Sequence, residues 1–172
     1  MSVNPLNQTM SAFHALLIDD TASLRSRIQL SCRHSLRLLL RGREDGWLVK
    51  ASFPRLSAEV SRASLTEYVE SYCALEAPRA SVQTKREMVK KLERLYEAIE
   101  RKSVPCMLTE LEACIKILFK IDQGPEWTCA HIERWARRPS TTVEDMCRMQ
   151  SLAQELSRMV MQQWPANGTK ED

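Results

Sequence analysis

The chain has 172 residues, 44% hydrophobic and 27% charged, with 4 Gly against 20 Leu and 8 Met. That composition excludes a collagen and a low-complexity tail, and the six scattered Cys are too few for a disulfide scaffold. A chain of this length buries about 70% of its unfolded surface, enough for one sizeable core or two small ones without staples, and a net charge of +3 does not by itself recruit nucleic acid.

The distribution of charge says more than its sum. Between Thr21 and Arg43 stand six Arg (25, 27, 33, 37, 41 and 43) and no acid, flanked by Asp19-Asp20 before and Glu44-Asp45 after. In the same segment Leu24, Ile28, Cys32, Leu36 and Leu39 or Leu40 recur at three and four, which predicts a helix over 22–41, capped by Asp20 or Thr21 and stopped at Gly42. A weaker helix is expected over 8–18. Trp47-Leu48-Val49 is the one strand candidate.

Pro54 suits a first helical turn, and Leu56, Val60 and Ala63 continue from it; Ser64 and Glu67 form a capping box before Leu65, Val69 and Tyr72. The expectation is one bent helix or two short ones over 55–75. Thr84 and Glu87 form a second box, and Met88, Leu92, Leu95 and Ile99 behind them define a helix over 85–102 whose opposite face carries Lys85, Lys90, Lys91, Arg94, Glu97 and Arg101. Pro105 opens a helix over 106–122 through Leu108, Leu111, Ile115, Leu118 and Phe119, expected to be the most buried and to close at Gly124-Pro125. Trp127, Ile132 and Trp135 mark a helix over 126–137, with both indoles as core anchors. Thr141 and Glu144 cap the last helix, over 142–163.

No segment alternates over a strand length and no hairpin turn joins two β-branched runs, so the fold class is all-α: six or seven amphipathic helices with no significant sheet. Residues 1–77 form an N-terminal helical half, 84–164 a C-terminal helical bundle and 165–172 a disordered polar tail, with the boundary around Glu76–Gln83. The longest apolar runs, such as Leu38-Leu39-Leu40, fall far short of the roughly 18 residues of a membrane span. With no secretory signal pattern, an intracellular protein, nuclear or cytoplasmic, with reduced thiols is expected. The Arg- and Ser-rich first 43 residues resemble a mitochondrial presequence, but Asp19-Asp20 argues against one.

Four glycines cannot build a phosphate loop, so no nucleotide cofactor is expected. Cys129, His131 and Cys147, with Cys106 or Cys114, are the one metal-like set; Cys129 and His131, two apart, point to different sides of a helix, and the bland alternative is buried thiols acting as small hydrophobes. His14, His34 and His131 sit in no recognisable catalytic motif, and an enzyme is not expected. The strongest electrostatic feature is the row Arg33, Arg37 and Arg41, four apart, extended by Arg25: one helix face of guanidinium groups able to grip phosphates or an acidic partner. Its alternative is a solvated face whose Arg stems cover apolar surface.

From Thr84 to Trp164 the order of features resembles the N-terminal helical (LW) domain of the transcript-cleavage elongation factor of RNA polymerase II and related transcription-regulator modules. The residues concerned are the Leu108–Ile121 helix, the Trp127–Arg138 helix closing on Arg137-Arg138, and Leu152-Ala153-Gln154-Glu155-Leu156 leading to Trp164. Val160 stands where that family places its closing Trp, and Trp164 comes one turn later, before Pro165. The resemblance implies a non-catalytic bundle that docks short motifs of disordered transcription regulators. Taken together, the expectation is a helical interaction or adaptor domain with helical or short-motif protein partners and no membrane. The alternative is a nucleic-acid-associated subunit, and a small helical enzyme is the remote third. The candidate binding residues are Arg25, Arg33, Arg37, Arg41, Arg137 and Arg138.

Overall fold

The computed structural model describes residues 5–48, 50–52 and 60–164, with side chains from residue 21 onward. It contains α1 (Pro5–Glu44), α2 (Arg62–Glu76), α3 (Val82–Arg101), α4 (Val104–Phe119), α5 (Gly124–Ala136) and α6 (Val143–Gln163). The all-α expectation holds. Among the described residues the only β pairing is an isolated parallel bridge between Ala51 and Ile121. The helices expected over 8–18 and 22–41 are one continuous α1: neither Asp20 nor Thr21 interrupts it. The start of the helix expected at 55, Val49 of the strand candidate and the tail 165–172 lie outside the described residues.

Helix ends differ from the sequence expectation in an instructive way. The side chain capping α2 is Ser61, which accepts from the backbone N–H of Ser64, and the one capping α3 is Ser81, which accepts from Thr84. Both predicted boxes, Ser64/Glu67 and Thr84/Glu87, therefore lie one turn inside their helices. For α6 the cap is Thr142, accepting from Asp145, while the neighbouring Thr141 donates its hydroxyl to the Trp135 carbonyl at 2.5 Å and ties the end of α5 to the start of α6.

The two expected glycine stops are also displaced. α1 runs through Gly42 and turns at Gly46, whose φ of 74° lies in the left-handed region open to glycine. Gly42 serves packing instead: a Cβ there would stand 2.5 Å from Leu48 Cδ1 and 2.7 Å from Trp47 Cζ2, so any larger residue would displace these two side chains from the last turn of α1. Gly124 does not close α4, which ends at Phe119; it is the first residue of α5, where a Cβ would lie 2.0 Å from the Leu118 carbonyl oxygen. The positive φ of that turn falls on Gln123, at 64°.

One core cluster draws on every helix. α4 sits at its centre, in contact with α3, α5 and α6, while α2 packs outside α3. The inward residues of α4 include Leu108, Leu111, Cys114 and Leu118. Each large aliphatic side chain so enclosed contributes about 1.5–3 kcal/mol relative to its exposed state, which is why α4, apolar on most of its circumference, takes the middle of the bundle.

α1 lies across the far side against α5 and α6. Three ties fix its direction relative to α5: Arg25 Nε donates to the Ala136 carbonyl at 3.0 Å, Cys129 Sγ to the Cys32 carbonyl at 3.9 Å, and Arg43 reaches Glu126 at 2.5 Å. Rising numbers on one helix meet falling numbers on the other, so the pair is antiparallel. Against α6 the order is reversed. Ser157 donates to the Ser31 carbonyl at 3.2 Å and shares a hydrogen bond with Ser35 at 2.7 Å, while Arg41 lies over the Trp164 ring. The first and last helices of the chain therefore run parallel, with small serines at their contact.

Candidate interaction face on the first helix

An α-helix advances about 100° per residue, so the positions of α1 that meet α5 and α6 determine which ones face away. Ile28, Cys32, Ser35 and Leu39 are buried. On the opposite side Leu30, Arg33, His34, Arg37, Leu40 and Arg41 are exposed, within an arc of about 120° and a length of about 17 Å. Leu30 is 63% and Leu40 57% exposed.

Arg33 and Arg37, in the middle of this arc, have no ion-pair or hydrogen-bond partner among the described residues. Arg41, next in the row, is engaged: its Nε stands 4.0 Å from Asp45 and its guanidinium 5.3 Å from the Trp164 ring centre. Trp164 in turn packs edge-on against Trp47 at 5.4 Å. The row thus has a free centre and an anchored C-terminal end.

The other candidate residues lie elsewhere. Arg25 is rotated toward α5, holds the Ala136 carbonyl, and flanks a groove of 100 Å³ together with Arg137 and Glu133. It belongs to the α1–α5 seam and does not extend the outer row. Arg138 points to the far side of α5, where its guanidinium reaches the Lys102 carbonyl at 3.4 Å. Arg43 is drawn to Asp122 at 3.2 Å and Glu126, closing the seam at the other end. The structure therefore gathers Arg33, Arg37 and Arg41 on one face, sets Arg25 and Arg137 along the same groove, and leaves Arg138 apart.

Two members of the face escape the sequence reading. Leu30 falls outside the inward repeat of Leu24, Ile28, Cys32 and Leu36, and Leu40 was one of two choices for the repeat's last member, the one the structure turns outward. The signal was available: a Leu that breaks the inward register of an amphipathic helix must face away from the core.

Among the described residues, no three His, Cys, Asp or Glu side chains converge on a point able to hold a metal ion. The metal-like set is dispersed into other duties. Cys129 is buried against Cys32, and a side-chain hydrogen bond with the Cys32 thiol together with burial pushes its own thiol far up from the ordinary range. Burial likewise pushes Cys114 up to about 12, and Cys106 and Cys147 are exposed. His131 stacks on Trp127 at 4.1 Å, meets Trp135 edge-on at 5.6 Å, and shares its Nδ1 with the Trp127 carbonyl at 3.0 Å. Burial is the main cause that lowers its pKa, opposed by the hydrogen bond with the Trp127 carbonyl and reinforced by the charges of Arg134 and Arg138. Of the two indoles, Trp135 is fully enclosed and Trp127 half-buried at the edge of the core.

The end of α1 shows what a structural charge cluster looks like in the same molecule. Lys50 Nζ is shut from solvent with no hydrogen-bond partner among the described residues, 5.7 Å from the Phe119 ring. Burial lowers its pKa to about 8 against the opposing pull of Glu126 and Asp122, with Arg43 and Lys120 reinforcing the fall. Here acids meet bases. On the outer face of α1, among the described residues, only Arg41 has an acid beside it, Asp45.

Comparison with protein-family models, with curated proteins and with solved structures finds no match.

Proposed function

We propose that this chain is a non-catalytic helical interaction module, an adaptor within a larger assembly, and that the outer face of α1 is the surface it presents to a protein partner. The observation that carries this is the coincidence of Arg33 and Arg37, without a partner among the described residues, with exposed Leu30 and Leu40 on a helix whose other face is fixed in the core. A face of that kind is held rigid before any partner arrives, which lowers the ordering cost of binding. Isolated exposed leucines are ordinary on protein surfaces; two of them bracketing uncompensated guanidinium groups on one helical arc form a patch with both apolar and electrostatic character.

The resemblance of residues 84–164 to the LW domain supports the same class of function, a bundle that docks short motifs, and would place the work in transcription. A nucleic-acid role would draw on the same arginines. It gains nothing from Leu30 and Leu40, which phosphate contacts would leave without apolar partners.

The test is quantitative recovery of partners with the tagged full-length chain from its own cells, wild type against Arg33→Gln/Arg37→Gln/Arg41→Gln. Loss of the principal partner with an unchanged melting temperature is the expected result. Recovery of both forms as a lone monomer, or a turnover by the purified chain, would overturn the proposal, as would unfolding of the triple variant.

A further inference from the structure

The chemistry of the α1 face restricts what can cover it. Leu30 and Leu40 are separated by about 15 Å along the helix axis, three turns, and lie on either side of the line through Arg33 and Arg37. An occupant must therefore offer apolar groups at both ends of a three-turn span and negative charge between and beside them. A second copy of the chain using this face in a two-fold arrangement would set one arginine row against the other, with no acid between Thr21 and Arg43 to relieve it. Duplex nucleic acid supplies the charge and leaves the leucines uncovered. An extended acidic loop satisfies the arginines at a larger ordering cost and brings no regular apolar spacing.

We infer that the face takes an acidic amphipathic helix of a partner protein, laid along α1 from Leu30 to Arg41. Its apolar stripe, at positions i, i+4, i+7 and i+11, covers Leu30 and Leu40, and its carboxylates meet Arg33 and Arg37. Guanidinium–carboxylate pairing at an interface that leucines help to dry is stronger than the same pair in open water. Glu44 and Asp45 beyond the row mark its end, since carboxylates of the partner extending that far would meet like charge. This inference rests on the interaction-module proposal and names its partner's chemistry.

The experiment uses the immobilised full-length chain to select from a phage-displayed library of random 16-residue peptides. Selected peptides are then measured by fluorescence anisotropy against wild type, Arg33→Gln/Arg37→Gln and Leu30→Gln/Leu40→Gln, with backbone chemical shifts locating the contact. Glutamine preserves helix propensity at all four positions, and melting temperatures of the two variants confirm the fold.

Enriched peptides are expected to carry net negative charge on an i, i+4, i+7, i+11 apolar pattern, and each double variant should weaken them at least about tenfold, or 1.4 kcal/mol. Basic or neutral winners, peptides indifferent to both variants, or no enrichment would overturn the inference. Peptides that instead shift the groove between α2 and α3, lined by Val69, Val82 and Val89, would sink this inference and leave the module proposal standing. A 20-base-pair DNA duplex serves as a parallel probe: binding lost in the arginine variant, unchanged in the leucine variant and falling steeply with salt would replace the peptide by nucleic acid.

Discussion

α1 and α3 are both long, both rich in bases and both amphipathic, yet their outer faces are built on different rules. On α3 the bases alternate with Glu87, Glu93, Glu97 and Glu100 of the same helix, and neighbours add pairs such as Lys85 with Glu70 at 3.0 Å and Glu93 with Arg62 at 3.3 Å. Such surface pairs contribute little stability each, about 0–1 kcal/mol, but the four glutamates offset most of the charge of the six bases on the same helix. From Thr21 to Arg43, α1 has six bases and no acid, and two large leucines stand among them. Net charge per helix does not separate these cases. What separates them is where the acids stand: four Glu are interleaved among the six bases of α3, and none lies between Thr21 and Arg43 on α1.

Substitutions on the two faces of α1 and on α3 have sharply different expected effects. The largest effect belongs to the inner face of α1: Leu39→Ala should cost about 2–5 kcal/mol and lower the melting temperature by about 5–15 °C. Leu40→Gln, one residue on, should change stability by less than about 0.5 kcal/mol. Equal losses in thermal denaturation would mean that α1 has no outer face.

Next comes the charged cluster at the end of α1. Lys50 is held down at about 8 in the fold by burial, against an ordinary 10.5 in the unfolded chain. The unfolded state therefore binds more protons between those values, and the Lys50 contribution to stability improves as pH rises from 8 to 10.5. Lys50→Met should exceed wild type by on the order of 1–3 kcal/mol at pH 7, with the difference shrinking over that window. Urea denaturation at pH 7, 9 and 10 measures it; a constant difference would show an amine that is solvated in the fold.

A smaller effect tests where α3 begins. Ser81→Ala removes the side chain that caps the helix and should cost about 1 kcal/mol, while Thr84→Ala, inside the first turn, should cost less. The reverse order would restore the helix start to Thr84.

Smallest of all in stability is the pair of surface variants that puts the two helices side by side. Lys90→Gln/Lys91→Gln on α3 and Arg33→Gln/Arg37→Gln on α1 should each shift stability by less than about 0.5 kcal/mol. Only the second should reduce partner recovery. Equal partner loss from both would make the arginine face one basic surface among several.

Much of the fold was legible because helical repeats such as Leu92, Leu95 and Ile99 on α3, or Leu108, Leu111, Ile115 and Leu118 on α4, are statements about burial. Helix starts were less so. Ser61-x-x-Ser64 and Ser81-x-x-Thr84 offer two hydroxyls three apart, and the glutamate after the second one favoured the wrong member; which residue takes the extended backbone of a cap depends on how the preceding chain enters. The arginine row was legible as a period. That Arg33 and Arg37 have no partner among the described residues while Arg43 is held by residues 79 and 83 positions away depends on tertiary neighbours, and no local spacing carries that.

The parallel pairing of α1 with α6 has a consequence for the order of events during synthesis. Ile28, Cys32, Ser35 and Leu39 find their cover on α5 and α6, roughly a hundred residues later in the chain. At ordinary elongation rates of about 5–20 residues per second, the inner face of the first helix is complete on the order of ten seconds before its partners leave the ribosome. Through that interval α1 is apolar on one side and basic on the other, a nascent segment with two faces open. The burial that separates inside from outside in the finished bundle arrives last, with the final helix.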